Sequence, residues 1–127
     1  MKSYFERIRE NNELIGNFMG FVNSTPELPL INFLMENKET GKSFTIKGCK
    51  YHESWDWLMP TIEKICEEGY RYYFKINEES AIARFTDMAI PGNQIIEEQL
   101  FDYDKPIRVS YLAVVNFIKY YNKLNTN

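Results

Sequence analysis

Two neighbouring runs in this chain alternate with a period of two, and they constrain the fold more than anything else in it. YRYYFKI covers 70–76 and SAIARF covers 80–85, with the short polar turn NEES between them. In the first run Tyr70, Tyr72 and Phe74 share one face, while Arg71, Tyr73 and Lys75 share the other. That is the pattern of a half-buried strand. A link this short joins strands antiparallel, because a parallel pair needs a crossover of a dozen residues or more. An antiparallel hairpin with one apolar face must then find something to cover that face.

A second hairpin is expected upstream. LINFLMEN and KSFTIKG read as strands around NKETGK, a turn-like segment containing Gly41. Phe44 and Ile46 alternate with Ser43, Thr45 and Lys47. Before it, NSTPELP reads as loop, since Pro26 and Pro29 leave little for a helix. Residues 86–106 are the hardest to place: QIIEEQLF is either a fifth strand or a turn of helix.

Three segments carry helical spacing. In residues 1–21, Tyr4, Ile8, Ile15, Phe18 and Met19 recur at helical intervals, and Gly20 suits the stop. Asn11 and Asn12 interrupt this segment. It is either one imperfect helix, or a frayed leader over residues 1–10 and a short helix from Glu13 capped by Asn12. A second helix runs from a Ser54 cap to Glu68 and stops at Gly69. Pro60 lies inside it and has no amide to give, so a kink or a broken first turn is expected near Asp56. Pro106 opens the last helix, from about Ile107 to Leu124. The expected fold is a single α+β domain over residues 1–127. It has an antiparallel sheet of four to five strands, helices mainly on one face, and the order α-β-β-α-β-β-(β)-α.

At 127 residues the chain is long enough to bury a core of its own. Its net charge of −3 disfavours general duplex nucleic-acid binding, which depends on a basic surplus. Cys49 and Cys66 form no C-x-x-C pair and no zinc cluster. The opening MKSYFERIRE is charged and has no apolar signal stretch, and no run has the length of a membrane span. Two free thiols in a reducing cytoplasm are therefore expected, with no membrane partner.

The segment KYHESWDWLMPTIEKI, 50–65, holds the one histidine and both tryptophans. On a helical wheel Trp55, Leu58, Met59, Ile62, Ile65 and Cys66 form the core stripe, with Cys66 as a small buried hydrophobe. Trp57 falls opposite, with Thr61, Lys64 and Glu68. It is either covered by another element, such as the first helix, or left to meet a partner. In the last helix Ile107, Tyr111, Val114, Ile118 and Tyr121 form the buried stripe, while Leu112 and Tyr120 sit nearly opposite. Trp57, Leu112 and Tyr120 are thus the candidate protein-interaction residues, serving a homodimer or a different partner.

Chemistry finds less support. HESWD differs from H-E-x-x-H in its last residue, and a Ser54 cap would put His52 outside the helix, so a metal site from His52 and Asp56 is not expected. A Cys49–His52 pair lacks an orienting third group. Glu67–Glu68, Glu78–Glu79 and Glu97–Glu98 are sequential neighbours and diverge on either kind of element. No catalytic residue, metal or cofactor is assigned. Arg71, Tyr73 and Lys75 offer an alternative, a face that stacks and holds a nucleotide or single-stranded nucleic acid.

SWDWLMPTIEKI and AVVNFIKYYN also carry a resemblance. They are similar to small uncharacterised proteins encoded in phage and prophage-like regions of gut bacteria. Those have an S-W-D-W-L-M-P-x-x-E-K-I segment and end in a helix like A-V-V-x-F-I-x-W-Y-N. They begin with N-x-x-L-I-x-x-F-M-G, matched here from Leu14 to Gly20. The family has tryptophan where this chain has Tyr120, and Val22–Lys47 and Asp87–Asp104 are not covered. The resemblance implies a phage-associated protein in a bacterial cytoplasm and brings no activity or catalytic residues. The expected function is a non-enzymatic module that binds a host or phage protein.

Overall fold

A computed structural model describes residues 2–89, 94–101 and 105–125. The class is α+β, with two separate three-stranded antiparallel sheets. The expected single sheet of four to five strands is corrected here. The chain forms two compact units, Met1–Tyr51 and His52–Asn127.

The first unit opens with α1 (Tyr4–Phe18). Ser3 caps it, its Oγ accepting from the Glu6 amide at 3.2 Å. Asn12 is therefore not a cap. It lies buried in mid-helix, and the helix runs through Asn11 and Asn12. An asparagine inside a helix costs only a few tenths of a kcal/mol, less than leaving a broken turn's amides unpaired. Gly20, at φ +93°, ends α1. Its amide reaches the Asn17 carbonyl, and the Phe21 amide reaches that of Gly16, a complete Schellman arrangement.

The sheet of this unit is built from very short pieces: β1 (Val22–Asn23), β2 (Leu34–Glu36) and β3 (Ser43–Thr45), in that order. β1 has no counterpart in the sequence reading, and Leu30–Asn32 is a 3₁₀ turn rather than strand. Side chains supplement these short ladders. Thr25 Oγ1 accepts from the Leu34 amide at 2.9 Å, and Asn23 Oδ1 from the Thr25 amide at 2.9 Å. Asn37 Oδ1 accepts from the amides of Glu39 and Thr40, holding the expected turn before β3. Phe44 and Ile46 do point inward while Ser43, Thr45 and Lys47 are exposed. The Phe44 ring meets Phe21 at 4.8 Å and Tyr51 at 5.9 Å. After β3 the chain turns, Gly48 to Thr45 and Cys49 to Ile46, so this sheet gains no further strand.

The second unit contains α2 (Trp55–Glu67), β4 (Tyr70–Ile76), β5 (Ser80–Asp87), β6 (Gln94–Phe101) and α3 (Ile107–Leu124). QIIEEQLF is thus a strand rather than a helical turn, the sixth because β1 precedes the expected ones. β5 lies in the middle, paired with β4 through Tyr72–Phe85 and with β6 through Phe85–Ile96. Both helices cover one face of this sheet, α2 at β4 and α3 at β5 and β6. Ala81 and Ala83 are fully buried on β5, and such small side chains let α3 come close. Around them the rings of Tyr70, Tyr72, Phe85 and Phe117 meet at centroid distances of 4.7–5.5 Å. Burying a side chain as large as Phe85 or Phe117 contributes about 2–3 kcal/mol.

α2 departs from its sequence reading in three ways. It is continuous through Pro60, so neither a break nor a lost first turn follows from the proline. Ser54 stands at the cap with extended backbone and its carbonyl accepts from Trp57 and Leu58, but its side chain makes no capping bond. The buried arc is Leu58, Thr61, Ile62 and Ile65. That arc is rotated by roughly 50° from the expected stripe, at 100° per residue. The rotation buries Thr61, exposes Cys66 and brings Trp57 to the flank, where it is half-buried. α3 is buried more widely than expected. Val109, Ser110, Ala113, Val115 and Phe117 join Ile107, Tyr111, Val114 and Ile118 in the core, and Tyr121 is half-buried.

Candidate functional site

A concave surface of the second unit lies between α2 and β4. It is an open groove of about 660 Å³, lined by Met59, Ile62, Glu63, Cys66 and Glu67 from α2. Tyr70, Arg71 and Tyr72 line it from β4, and Met88 from the end of β5. Gly69, at φ +102°, makes the turn from helix to strand, and the Met88 amide donates to its carbonyl at 3.0 Å. One residue therefore sets the spacing of the two walls at this end. Met88 is 46% exposed and Cys66 is exposed, so the wall is apolar yet reachable. Thioethers are flexible and polarisable and adapt to irregular apolar surfaces. Glu63 and Glu67 are exposed one helical turn apart, and Arg71 is the cation among the lining residues.

The rim is acidic beyond those two. The Tyr70 hydroxyl is pushed above its ordinary range by desolvation first, then by the charges of Tyr120, Asp87, Tyr121 and Glu68. Tyr72 is pushed up by burial, partly offset by its 2.7 Å hydrogen bond with Ser110 of α3. That bond fixes the inner wall of β4 to the helix behind it.

The residues named from the sequence fall as follows. Trp57, Leu112 and Tyr120 are all half-buried. Tyr120 is near enough to Tyr70 to act on its titration, so it belongs to the neighbourhood of the groove. Arg71, Tyr73 and Lys75 share the exposed face of β4 as expected. On that face Arg84 lies over the Tyr73 ring, 4.8 Å from its centroid, and its Nη2 pairs with Glu97 at 2.9 Å. One face of Tyr73 is thus occupied by an arginine whose charge is already answered. Glu97 and its neighbour Glu98 point to opposite faces, Glu98 accepting a hydrogen bond from Asn116.

The candidate reactive groups do not converge among the described residues. Among the described residues no three His, Cys, Asp or Glu side chains gather as a metal site. His52 lies outside α2, its Nε2 3.8 Å from Glu53, and burial holds its imidazole below the usual value against the pull of Glu53. Burial pushes the Cys49 thiol up to about 12, so at neutral pH it is neither a nucleophile nor a metal-ready thiolate. Both cysteines are free. No helix among the described residues is long and apolar enough to cross a membrane.

The groove was not visible in the sequence. Met88 falls in residues 86–106, whose pattern fits strand or helix alike, and helical spacing puts Cys66 in the core stripe. Comparison with known proteins gives no family model, no curated protein and no solved structure that matches this chain.

Proposed function

We propose that this chain acts by binding another protein, and that the groove between α2 and β4 is its binding surface. The observation that carries this is an accessible apolar wall of Met59, Cys66 and Met88, in a unit whose described residues hold no cluster of three His, Cys, Asp or Glu side chains. Interaction surfaces draw on such adaptable methionines and on aromatic anchors. Here Tyr70 and Tyr72 supply the anchors, with Tyr120 beside them. The resemblance to phage and prophage proteins makes a host or phage protein in a bacterial cytoplasm the expected partner. A homodimer through this surface would bring two acidic rims together.

The exposed Cys66 gives a direct test. Alkylating it with a bulky maleimide leaves the buried Cys49 untouched and fills the groove. A photo-crosslinker at Glu63 should capture one partner from bacterial host extract, and alkylation should abolish the capture. In Cys66→Ser the same reagent should change nothing. Capture that survives alkylation of Cys66 removes the groove from consideration.

Nucleotide or single-strand binding on Arg71, Tyr73 and Lys75 is the second reading, supported by their shared exposed face. It calls for a saturable polarisation signal with a labelled oligonucleotide at low salt, lost in Arg71→Ala/Lys75→Ala.

A further inference from the structure

We propose that the groove takes an extended peptide of the partner protein, which adds as a fourth strand to the free edge of β4 and carries apolar and basic side chains. This rests on the protein-binding reading above and specifies its chemistry. β4 is an outer strand: the sheet runs β4-β5-β6, and among the described residues only β5 pairs with it. Its other edge offers unpaired amides and carbonyls, which template a further strand. The groove is lined by consecutive β4 residues, Tyr70, Arg71 and Tyr72, from both faces of the strand, so the edge itself borders the cavity. Across from that edge stands α2, with Met59, Ile62 and Cys66. A strand laid along β4 would turn every second side chain toward this apolar wall. At about 660 Å³ the space is within the ordinary range for a bound ligand.

Charge selects the occupant further. Glu63 and Glu67 line the cavity, and Glu68 and Asp87 act on Tyr70 nearby, against Arg71 alone among the lining residues. A peptide with lysine or arginine beside its apolar residues meets this rim, and an acidic one is repelled. A second copy of this chain, at net charge −3, is disfavoured for the same reason.

The test uses the full chain with ¹³C-methyl methionine and four kinds of synthetic peptide. The first alternates valine and lysine over seven residues. The second replaces lysine with glutamate. The third is N-methylated at the valines or, separately, at the lysines. The fourth is a helix-locked peptide of the same composition as the first. Saturable shifts are expected at Met59 and Met88 with the first peptide, along with slowed exchange of the Tyr70 and Tyr72 amides. Only one of the two N-methyl sets should weaken binding, by at least about tenfold, because an added strand bonds through one edge. The glutamate peptide should bind at least about threefold more weakly, and Glu63→Lys/Glu67→Lys should reverse that order. Binding by the helix-locked peptide alone overturns strand addition and leaves the protein-binding reading standing. So do shifts at Met59 and Met88 that follow protein concentration without peptide, which would assign the surface to a second copy. No shift with any peptide, together with capture that survives Cys66 alkylation, overturns both.

Discussion

The two units solve the same problem by different means. The first has strands of two, three and three residues, and side-chain hydrogen bonds from Asn23, Thr25 and Asn37 supplement their ladders. The second has strands of seven, eight and eight residues under two helices, with one shift of register between Phe85 and Thr86. Long ladders allow a large apolar layer. Short ones depend on particular polar side chains and on tight backbone approach. The first unit should therefore be sensitive at its glycines and turn residues, and the second at its buried rings.

The largest effect separates them by ring. Phe117→Ala, in the aromatic layer of the second unit, should cost about 3–5 kcal/mol in denaturant unfolding, and hydrogen exchange should quicken first in β5, β6 and α3. A loss below about 1 kcal/mol would mean that the layer is not what holds this unit.

Alkali should separate them next. The Cys49 thiol of the first unit stays protonated in the fold to about pH 12, whereas a solvated thiol ionises near 8.5–9. The unfolded chain therefore loses this proton at lower pH than the folded one. The contribution is fully present below pH 8.5 and is lost as pH rises toward 12. Between pH 9 and 11 the loss is on the order of 2 kcal/mol, and Cys49→Ala should flatten that part of the profile. Tyr51, whose hydroxyl burial also pushes up, adds in the same direction. An unchanged profile in the variant would remove the thiol from this account.

Close approach comes third. A Cβ on Gly16 would stand 3.0 Å from Phe44 Cζ and 3.3 Å from Met35 Cε. Gly16→Ala should thus cost about 1–3 kcal/mol by overpacking, although alanine is the better helix former by about 1 kcal/mol. Phe44→Leu should recover part of the loss in a double-mutant cycle. A stabilised Gly16→Ala would show that Phe44 yields freely.

The smallest effect is a difference between two helix stops. Gly69→Ala meets nothing within 4 Å and carries only the cost of its φ of +102°, about 1 kcal/mol. Gly20→Ala adds a contact at 3.2 Å with Asn37 Nδ2, the amide whose oxygen already binds Glu39 and Thr40. It should be the more destabilising of the two by thermal melting. Equal losses would mean that the Asn37 turn adapts without cost.

Legibility from sequence follows the same division. The extents of β4 and α3 agree with the sequence reading, because seven residues at period two and eighteen at period 3.6 leave little ambiguity. β1 went unseen, since two residues hold no period and Thr25 joins Leu34 through a hydroxyl. Hydrophobicity alone points to the wrong face of α2. Thr61 turns inward with its hydroxyl left without a hydrogen-bond partner, and Cys66 turns out. The groove depends on Met88 lying beside Gly69, a contact across nineteen positions that no local pattern encodes.

The joint between α2 and β4 has a consequence for selectivity. Glu68 and Gly69 tie the end of α2 to the start of β4, and at the other end of the helix the Trp55 ring meets Phe74 at 5.5 Å. The helix is thus held against the strand at both ends, and a guest between them would be limited in length.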